Sequence, residues 1–141
     1  MSQSKDFPDC FYRVSVRALI RDGEKFLMGK RRTMWETFGG GLDFGEDIQE
    51  GLKRELREEV GFKVVSIADK PCLALPHIVQ KSRGMEWFYN FPIYYETVIE
   101  PDSFDPSREY SEVRWCTIDD IQSLDLYPGE EGIREGFKLL L

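Results

Sequence analysis

Apolar and polar positions alternate with the spacing of β-strands over much of the chain. The stretch from Phe11 to Ile20 is rich in β-branched and aromatic residues, which predicts a strand. The pair Asp22-Gly23 precedes a second apolar run and predicts a hairpin. Residues 62–79 and 85–99 are also typical of strands. Three prolines in these last segments indicate bends, bulges or sheet edges: Pro71, Pro76 and Pro92.

The clearest helical pattern lies between these strands, at residues 47–60. Ile48, Leu52 and Leu56 fall on one stripe at 3.6 residues per turn, and Gly61 is suited to the position just after the helix. The preceding residues 35–47 contain four glycines and predict an irregular loop whose backbone approaches something closely.

The end of the chain adds a polar loop, one more strand and helices. We expect the loop over residues 100–111, the strand over 112–118, a short helix over 119–124 and a terminal helix over 129–141. Strands, one central helix, more strands and terminal helices together favour an α/β fold with a mixed sheet covered by helices.

The central helix carries carboxylates on its apolar side. Glu55 and Glu59 share the stripe of Ile48 and Leu52, and Glu58 lies beside it. Like charges at this spacing repel by a few tenths of a kcal/mol per pair. Two interpretations stay open at this point: a solvated Glu/Arg face, which is common on exposed helices, or a site for a hard cation such as Mg²⁺. The shared register favours the cation.

Composition and charge narrow the class of protein. A chain of 141 residues with 41% hydrophobic and 32% charged residues is expected to fold as a single domain over residues 1–141. A net charge of −7 argues against binding a nucleic acid polymer through its phosphates. The three cysteines lack the spacing of a zinc site or a disulfide framework. Without a long apolar run or an apolar N-terminal signal, we expect a cytoplasmic protein that is not associated with a membrane.

One motif is far more specific than these patterns. GGLDFGEDIQEGLKRELREEVGF, from Gly40 to Phe62, follows the order Gly, five residues, Glu, seven residues, Arg-Glu-apolar-any-Glu-Glu-any-Gly-apolar. Seven fixed identities at typical residue frequencies coincide by chance about once in 10⁸ starting points. The segment resembles the signature box of the Nudix hydrolases without a gap. One departure precedes it, because Phe38 stands where many members have proline.

The resemblance implies a fold, an activity and a set of site residues. It implies an α/β/α sandwich with a central mixed β-sheet, and a Mg²⁺-dependent pyrophosphohydrolase that cleaves a nucleoside diphosphate linked to another group. The implied ligands of Mg²⁺ or Mn²⁺ are Glu55, Glu58, Glu59 and a backbone carbonyl near Gly39 or Gly40. Arg54 would orient the glutamates, and Glu46 would support the junction of loop and helix.

The resemblance offers several candidates for the general base and one for binding phosphate. Glu55 is one candidate base, and the resemblance offers Glu109 and Glu112, in the loop before the last strand, as others. Among the basic residues after the second long strand, the resemblance favours Arg31 for binding phosphate.

The substrate stays open. A proline about fifteen residues beyond the box accompanies ADP-ribose hydrolysis in the family, and Pro76 lies near that position. The short chain fits nucleoside triphosphate hydrolysis equally well. In both cases the partner is a small nucleotide, and the resemblance is compatible with a homodimer. The alternative is a non-catalytic nucleotide sensor on the same fold, against which the intact glutamates argue.

Overall fold

Ten strands and three short or medium helices make up the part of the chain that the structure describes. A computed structural model describes residues 9–82 and 84–141, so residues 1–8, on which the absence of a signal segment was judged, lie outside it. The strands are β1 (Cys10–Leu19), β2 (Arg21–Asp22), β3 (Lys25–Arg31), β4 (Met34–Glu36), β5 (Phe38–Gly41), β6 (Val64–Ile67), β7 (Leu73–Ala74), β8 (His77–Ser82), β9 (Met85–Ile99) and β10 (Glu112–Cys116). The helices are α1 (Ile48–Val60), α2 (Ile118–Ser123) and α3 (Ile133–Gly136), followed by a 3₁₀ turn (Phe137–Leu140).

The strands form two sheets. The larger has the order β5-β1-β9-β6, with β7 and β8 also pairing with β9. Its central pair, β1 and β9, is parallel, whereas the flanking pairs are antiparallel. The smaller sheet has the order β10-β3-β2, with β4 also pairing with β3. The predicted mixed sheet is therefore confirmed.

Helices cover the strands on two sides, which makes the fold an α/β/α sandwich. Alternate residues of β1 separate the two cores, because side chains alternate between faces along a strand. Ala18 packs with Leu52 and Leu56 of α1, whereas Leu19 packs with Ile121 and Phe137 from the C-terminal helices. The second core also contains Phe26, Met28, Trp35, Tyr94 and Ile133.

Helix α1 has the bounds that the sequence predicts. The Asp47 side chain accepts a hydrogen bond from the Glu50 backbone N–H, and Gly61 ends the helix in the left-handed conformation. Leu52, Leu56 and Val60 are fully buried. Burial of this apolar stripe fixes the rotation of the helix and thereby decides where Glu55 and Glu59 lie.

The glycine-rich segment differs from its prediction as an irregular loop. Residues 34–36 and 38–41 form β4 and β5, and only residues 42–47 are loop. Gly39 adopts φ 143°, and a Cβ there would lie 2.0 Å from the carbonyl oxygen of Val16. The glycines thus allow β5 to pair closely with β1, which a composition rule for loops does not reveal.

Other predicted features are confirmed with small shifts. Pro92 lies opposite Leu75 at the break between β7 and β8. The Leu75 N–H donates to the Pro92 carbonyl at 3.1 Å, but Pro92 has no N–H to return the bond, so the pairing is interrupted there. The polar loop 100–111 and the last strand are present. The terminal helix is shorter than predicted and divides into α3 and the 3₁₀ turn.

Candidate active site

One carboxylate of α1, that of Glu55, meets the backbone of β5, and the Glu59 side chain lies beside it. A Cβ on Gly40 would lie 2.7 Å from Glu55 Cδ, so the Glu55 carboxylate rests directly against this glycine. The Glu55 side chain is 13% exposed. Glu59 lies one turn further along α1, partly buried and within hydrogen-bonding reach of Glu55. The structure therefore brings together three of the residues proposed to bind metal.

Crowding of negative charge is the main electrostatic feature of this group. Burial raises the pKa of Glu59 to about 8, with further contributions from the hydrogen bond and charge of Glu55 and from the charge of Glu109. Arg17 acts in the opposite direction. A carboxyl with this pKa holds its proton near neutral pH unless a cation lowers the pKa.

Arg54 joins the loop before α1 to the carboxylates. Its Nε and Nη2 donate to Glu46 at 2.7 and 2.9 Å, and Nη1 donates to Glu55 at 3.2 Å and Glu58 at 3.3 Å. The hydrogen bond from Arg54 is the main reason that the pKa of Glu46 falls to about 2. Glu58 is more exposed, at 55% for its side chain, and is turned toward Arg54.

The two candidate bases from the C-terminal half have different surroundings. The Glu109 backbone N–H donates to the Glu59 carbonyl at 3.0 Å, and the Glu109 carboxylate acts on the pKa of Glu59. Glu112 begins β10, where its carboxylate accepts from Arg114 at 3.1 Å. The next residue, Val113, packs on the core beneath α1, so Glu112 belongs to the other face of β10. The structure brings Glu109 to the carboxylate group and leaves Glu112 away from it.

A polar cleft of about 330 Å³ starts at Gly40 and runs across the larger sheet. Three arginines line it: Arg13, Arg17 and Arg31. Opposite them lie side chains from β8, β9 and the segment after α2, including His77, Phe88, Asn90, Tyr127 and Glu130. A cluster of arginines in a protein with net charge −7 favours an anionic ligand at this place.

Sequence reasoning identified Arg31 and Gly40 at this cleft but missed the residues that β1 contributes to it. Arg13, Ser15 and Arg17 alternate along β1, and this polar period of two on one strand face was the available signal. Ser15 donates to Asn90 Oδ1 at 2.6 Å across the parallel strand pair. That contact joins positions 75 residues apart, which no local pattern shows.

Glu130 anchors the segment after α2 to the larger sheet and to Thr37, which lies between β4 and β5. This buried carboxylate accepts from Arg17 at 2.9 Å, from the Thr37 backbone N–H and hydroxyl at 2.9 and 2.8 Å, and from the Tyr94 hydroxyl at 3.2 Å. Burial and Glu130 together raise the pKa of Tyr94. Glu130 therefore fixes one wall of the cleft.

The carboxylate group suits a hard divalent cation. In residues 9–82 and 84–141 no three acidic, histidine or cysteine side chains already converge as a complete ligand set. Mg²⁺ requires less than that, because it binds through one or two carboxylates and keeps several waters. Oxygen donors come from Glu55, Glu59 and the adjacent Gly40 backbone. A cation would relieve the unfavourable ionisation of the two neighbouring carboxyl groups.

Comparison with known proteins places this arrangement in a family. The family model for the NUDIX domain matches residues 11–138. The chain belongs to the Nudix hydrolase family. This Nudix hydrolase is thus an enzyme of the pyrophosphatase and nucleotide hydrolase class, and members of the family generally use a divalent metal ion.

The chain is similar to two named enzymes and to one solved structure. Nucleoside triphosphatase NudI of Enterobacter sp. (strain 638) is 28% identical over 124 residues, covering 81% of this chain and 88% of that enzyme. RNA pyrophosphohydrolase of Ruthia magnifica subsp. Calyptogena magnifica is 34% identical, covering 60% of this chain but only 43% of that enzyme. The crystal structure of MutT NUDIX hydrolase from Burkholderia pseudomallei has a TM-score of 0.66 at 22% identity, covering 89% of this chain and 98% of that one.

The structure also bears on membrane association. Within the described ranges, no helix of this Nudix hydrolase is long and apolar enough to cross a bilayer.

Proposed function

We propose that this Nudix hydrolase is a Mg²⁺-dependent pyrophosphohydrolase of a small nucleotide, with a nucleoside triphosphate as the preferred class. One observation carries the proposal: the Glu55 carboxylate, with Glu59 beside it, meets Gly40 where a cleft lined by arginines begins. The acidic end suits a cation and the basic cleft suits a polyphosphate, so one anionic ligand can contact both.

The metal site would be held by Glu55, Glu59 and the Gly40 carbonyl, with Glu58 beside Arg54 as a further ligand. Mg²⁺ at this position would neutralise phosphate charge and make water more acidic. Mn²⁺ would fit the same oxygen donors. Arg54 keeps Glu55 and Glu58 oriented through its two hydrogen bonds, and Glu46 keeps Arg54 in place.

Glu109 is our candidate for the general base, with Glu55 as the alternative. Glu109 is tied to the Glu59 backbone, and its carboxylate lies close enough to affect the pKa of Glu59. Arg31 binds a phosphate of the substrate from the cleft side. Arg13 contributes to the same positive field from the neighbourhood of Gly41.

Substrate choice between a nucleoside triphosphate and ADP-ribose depends on two observations. The NudI relative is described as a nucleoside triphosphatase and matches over most of both chains. Pro76, which suggested ADP-ribose, lies at the break between β7 and β8, where it has a structural role. Both observations favour the triphosphate.

The test is a screen of nucleoside triphosphates, ADP-ribose, dinucleoside polyphosphates and nucleotide sugars with Mg²⁺, with products identified. Glu59→Gln should reduce turnover by at least a hundredfold, because it removes a ligand charge. Glu50→Gln is the matched control, since Glu50 lies on the same helix and pairs with Lys53 in an exposed position. Equal turnover of both variants would refute the metal site. Nucleotide binding without any product, with every divalent ion, would establish the sensor instead.

The base is tested by a second pair of variants. Glu109→Gln should lower kcat by about two to four orders of magnitude, the usual range for a general base. Glu112→Gln should leave kcat unchanged, because Glu112 bonds to Arg114 on the other face of β10. A loss of kcat in Glu112→Gln but not in Glu109→Gln would assign the base to Glu112. An unchanged kcat in both variants would favour Glu55 as the base.

A further inference from the structure

A buried carboxylate lies directly behind the phosphate-binding candidate Arg31. Glu36, in β4, has a side chain only 10% exposed. Its oxygens accept from Arg31 Nη2 at 3.1 and 3.3 Å, and Oε1 also accepts from the hydroxyl of Tyr110 at 2.5 Å. One carboxylate thus joins a cleft arginine to a tyrosine of the C-terminal loop.

Arg31 is held on a second side and still has hydrogen-bonding capacity. Its guanidinium carbon lies 4.8 Å from the ring centre of Tyr127, whose hydroxyl donates to the Arg31 carbonyl at 2.8 Å. The buried Nε of Arg31 has no hydrogen-bond partner within the described part of the chain. The guanidinium is therefore oriented by the protein without being saturated by it.

Tyr110 connects this arginine to the metal-binding helix. The residue before it, Glu109, donates its backbone N–H to the Glu59 carbonyl at 3.0 Å. The residue after it, Ser111, donates to the Lys30 carbonyl at 3.0 Å, next to Arg31. The Tyr110 side chain is 1% exposed and packs edge-to-face on Phe38. Residues 109–111 thereby link the end of α1 to the end of β3.

We propose that Glu36 and Tyr110 are positioning residues that hold the Arg31 guanidinium at a fixed place relative to Glu55 and Glu59. A free arginine side chain samples many rotamers, and a phosphate bound to it would sample them too. The contact through Glu36 removes that freedom before the substrate arrives. This inference rests on the proposed function in one respect, namely that Arg31 binds a phosphate group.

The chain offers a matched pair of variants for the test. Tyr110 and Tyr94 are both 1% exposed, and each donates its hydroxyl to a buried carboxylate. Tyr110→Phe removes the hydroxyl behind Arg31, whereas Tyr94→Phe removes one of several donors to Glu130. Both should lower the melting temperature by a similar amount. Only Tyr110→Phe should lower kcat/KM, by about tenfold and mainly through KM.

A double-mutant cycle with Arg31→Ala separates positioning from general loosening. If Tyr110 acts through Arg31, Tyr110→Phe should have little further effect on kcat/KM once Arg31 is removed. Glu36→Gln should resemble Tyr110→Phe in kinetics. Full additivity with Arg31→Ala, or an equal loss of kcat/KM in Tyr94→Phe, would overturn the proposal.

Binding of inorganic tripolyphosphate, measured by calorimetry with Mg²⁺, keeps this test independent of turnover. We expect Tyr110→Phe to weaken binding about fivefold and Tyr94→Phe to leave it unchanged. If wild type hydrolyses no nucleotide but this difference is found, the proposed function fails and the positioning role stands. Equal affinity in both variants, or no binding by wild type, would overturn the positioning role itself.

Discussion

Glu59→Gln should make the metal-free enzyme more stable while removing its activity. In the folded protein the pKa of Glu59 is raised from 4.5 to about 8, first by burial and then by Glu55 and Glu109. A carboxyl whose pKa is higher in the folded than in the unfolded chain stabilises the folded chain while it is protonated. This contribution to the free energy of unfolding has its full size below pH 4.5. That contribution is lost as pH rises to about 8, because ionisation is harder in the folded than in the unfolded chain. Glutamine has no charge to lose.

The size of this stability difference follows from how far the pKa of Glu59 is raised and from how exposed its carboxyl group is. If the Glu59 carboxyl were fully shielded from solvent, raising its pKa by one would correspond to about 1.4 kcal/mol of stability. Glu59 is only partly buried, so solvent screening reduces the effect, and we expect about 1–2 kcal/mol between pH 5 and pH 8. For a chain of this length that is about 3–7 °C in melting temperature.

The assay is thermal unfolding at several pH values in EDTA and again with excess Mg²⁺. In EDTA, wild type should lose stability relative to Glu59→Gln as pH rises from 5 to 8, and Glu50→Gln should follow wild type. Mg²⁺ at about 100 times its Kd should add about 2.7 kcal/mol to wild type, with a larger effect at higher pH because protons compete for the ligands. A melting difference between wild type and Glu59→Gln that is flat with pH would refute the reasoning.

Three further variants test the fold around the site. Glu130→Gln should lower the free energy of unfolding by about 3–5 kcal/mol in urea titrations, because it leaves a buried arginine without its partner; a loss below 1 kcal/mol would contradict this. Gly40→Ala should weaken Mg²⁺ binding at least tenfold by calorimetry, since its Cβ would meet the Glu55 carboxylate, whereas Gly132→Ala, with nothing closer than 3.8 Å, should not. Leu56→Ala should cost about 2–5 kcal/mol by the same urea titration, and a smaller loss would mean that the core beneath α1 collapses around the cavity.

Local sequence signals predicted the element that carries the proposed metal ligands. Helix α1 begins at a side-chain cap, Asp47, and ends at a left-handed glycine, Gly61, and both are visible within a few residues. The apolar stripe then fixes which carboxylates turn toward the sheet. For this reason Glu55 and Glu59 could be placed without the structure.

Features that depend on distant pairing could not be predicted in this way. Residues 38–41 have the composition of a loop, and they form a strand only because β1 lies beside them. Glu36 and Tyr110 are 74 positions apart, and nothing near either residue shows that the carboxylate is buried. The proposed metal-binding end of the site is therefore local in sequence, whereas the proposed phosphate-binding end is assembled by the fold.

The separation of a carboxylate end from an arginine end also distinguishes an enzyme from a non-catalytic nucleotide sensor. A sensor needs the cleft with Arg31 to hold a nucleotide, but it gains nothing from a partly buried carboxyl at Glu59, whose ionisation beside Glu55 is disfavoured in the absence of metal. That ionisation reduces stability as pH rises towards 8, and an uncharged residue at position 59 would remove the effect. The presence of these glutamates is explained if they bind a cation that the reaction requires. A Glu59→Gln variant that gains stability in EDTA, keeps nucleotide binding and loses hydrolysis would be expected of the enzyme and not of the sensor.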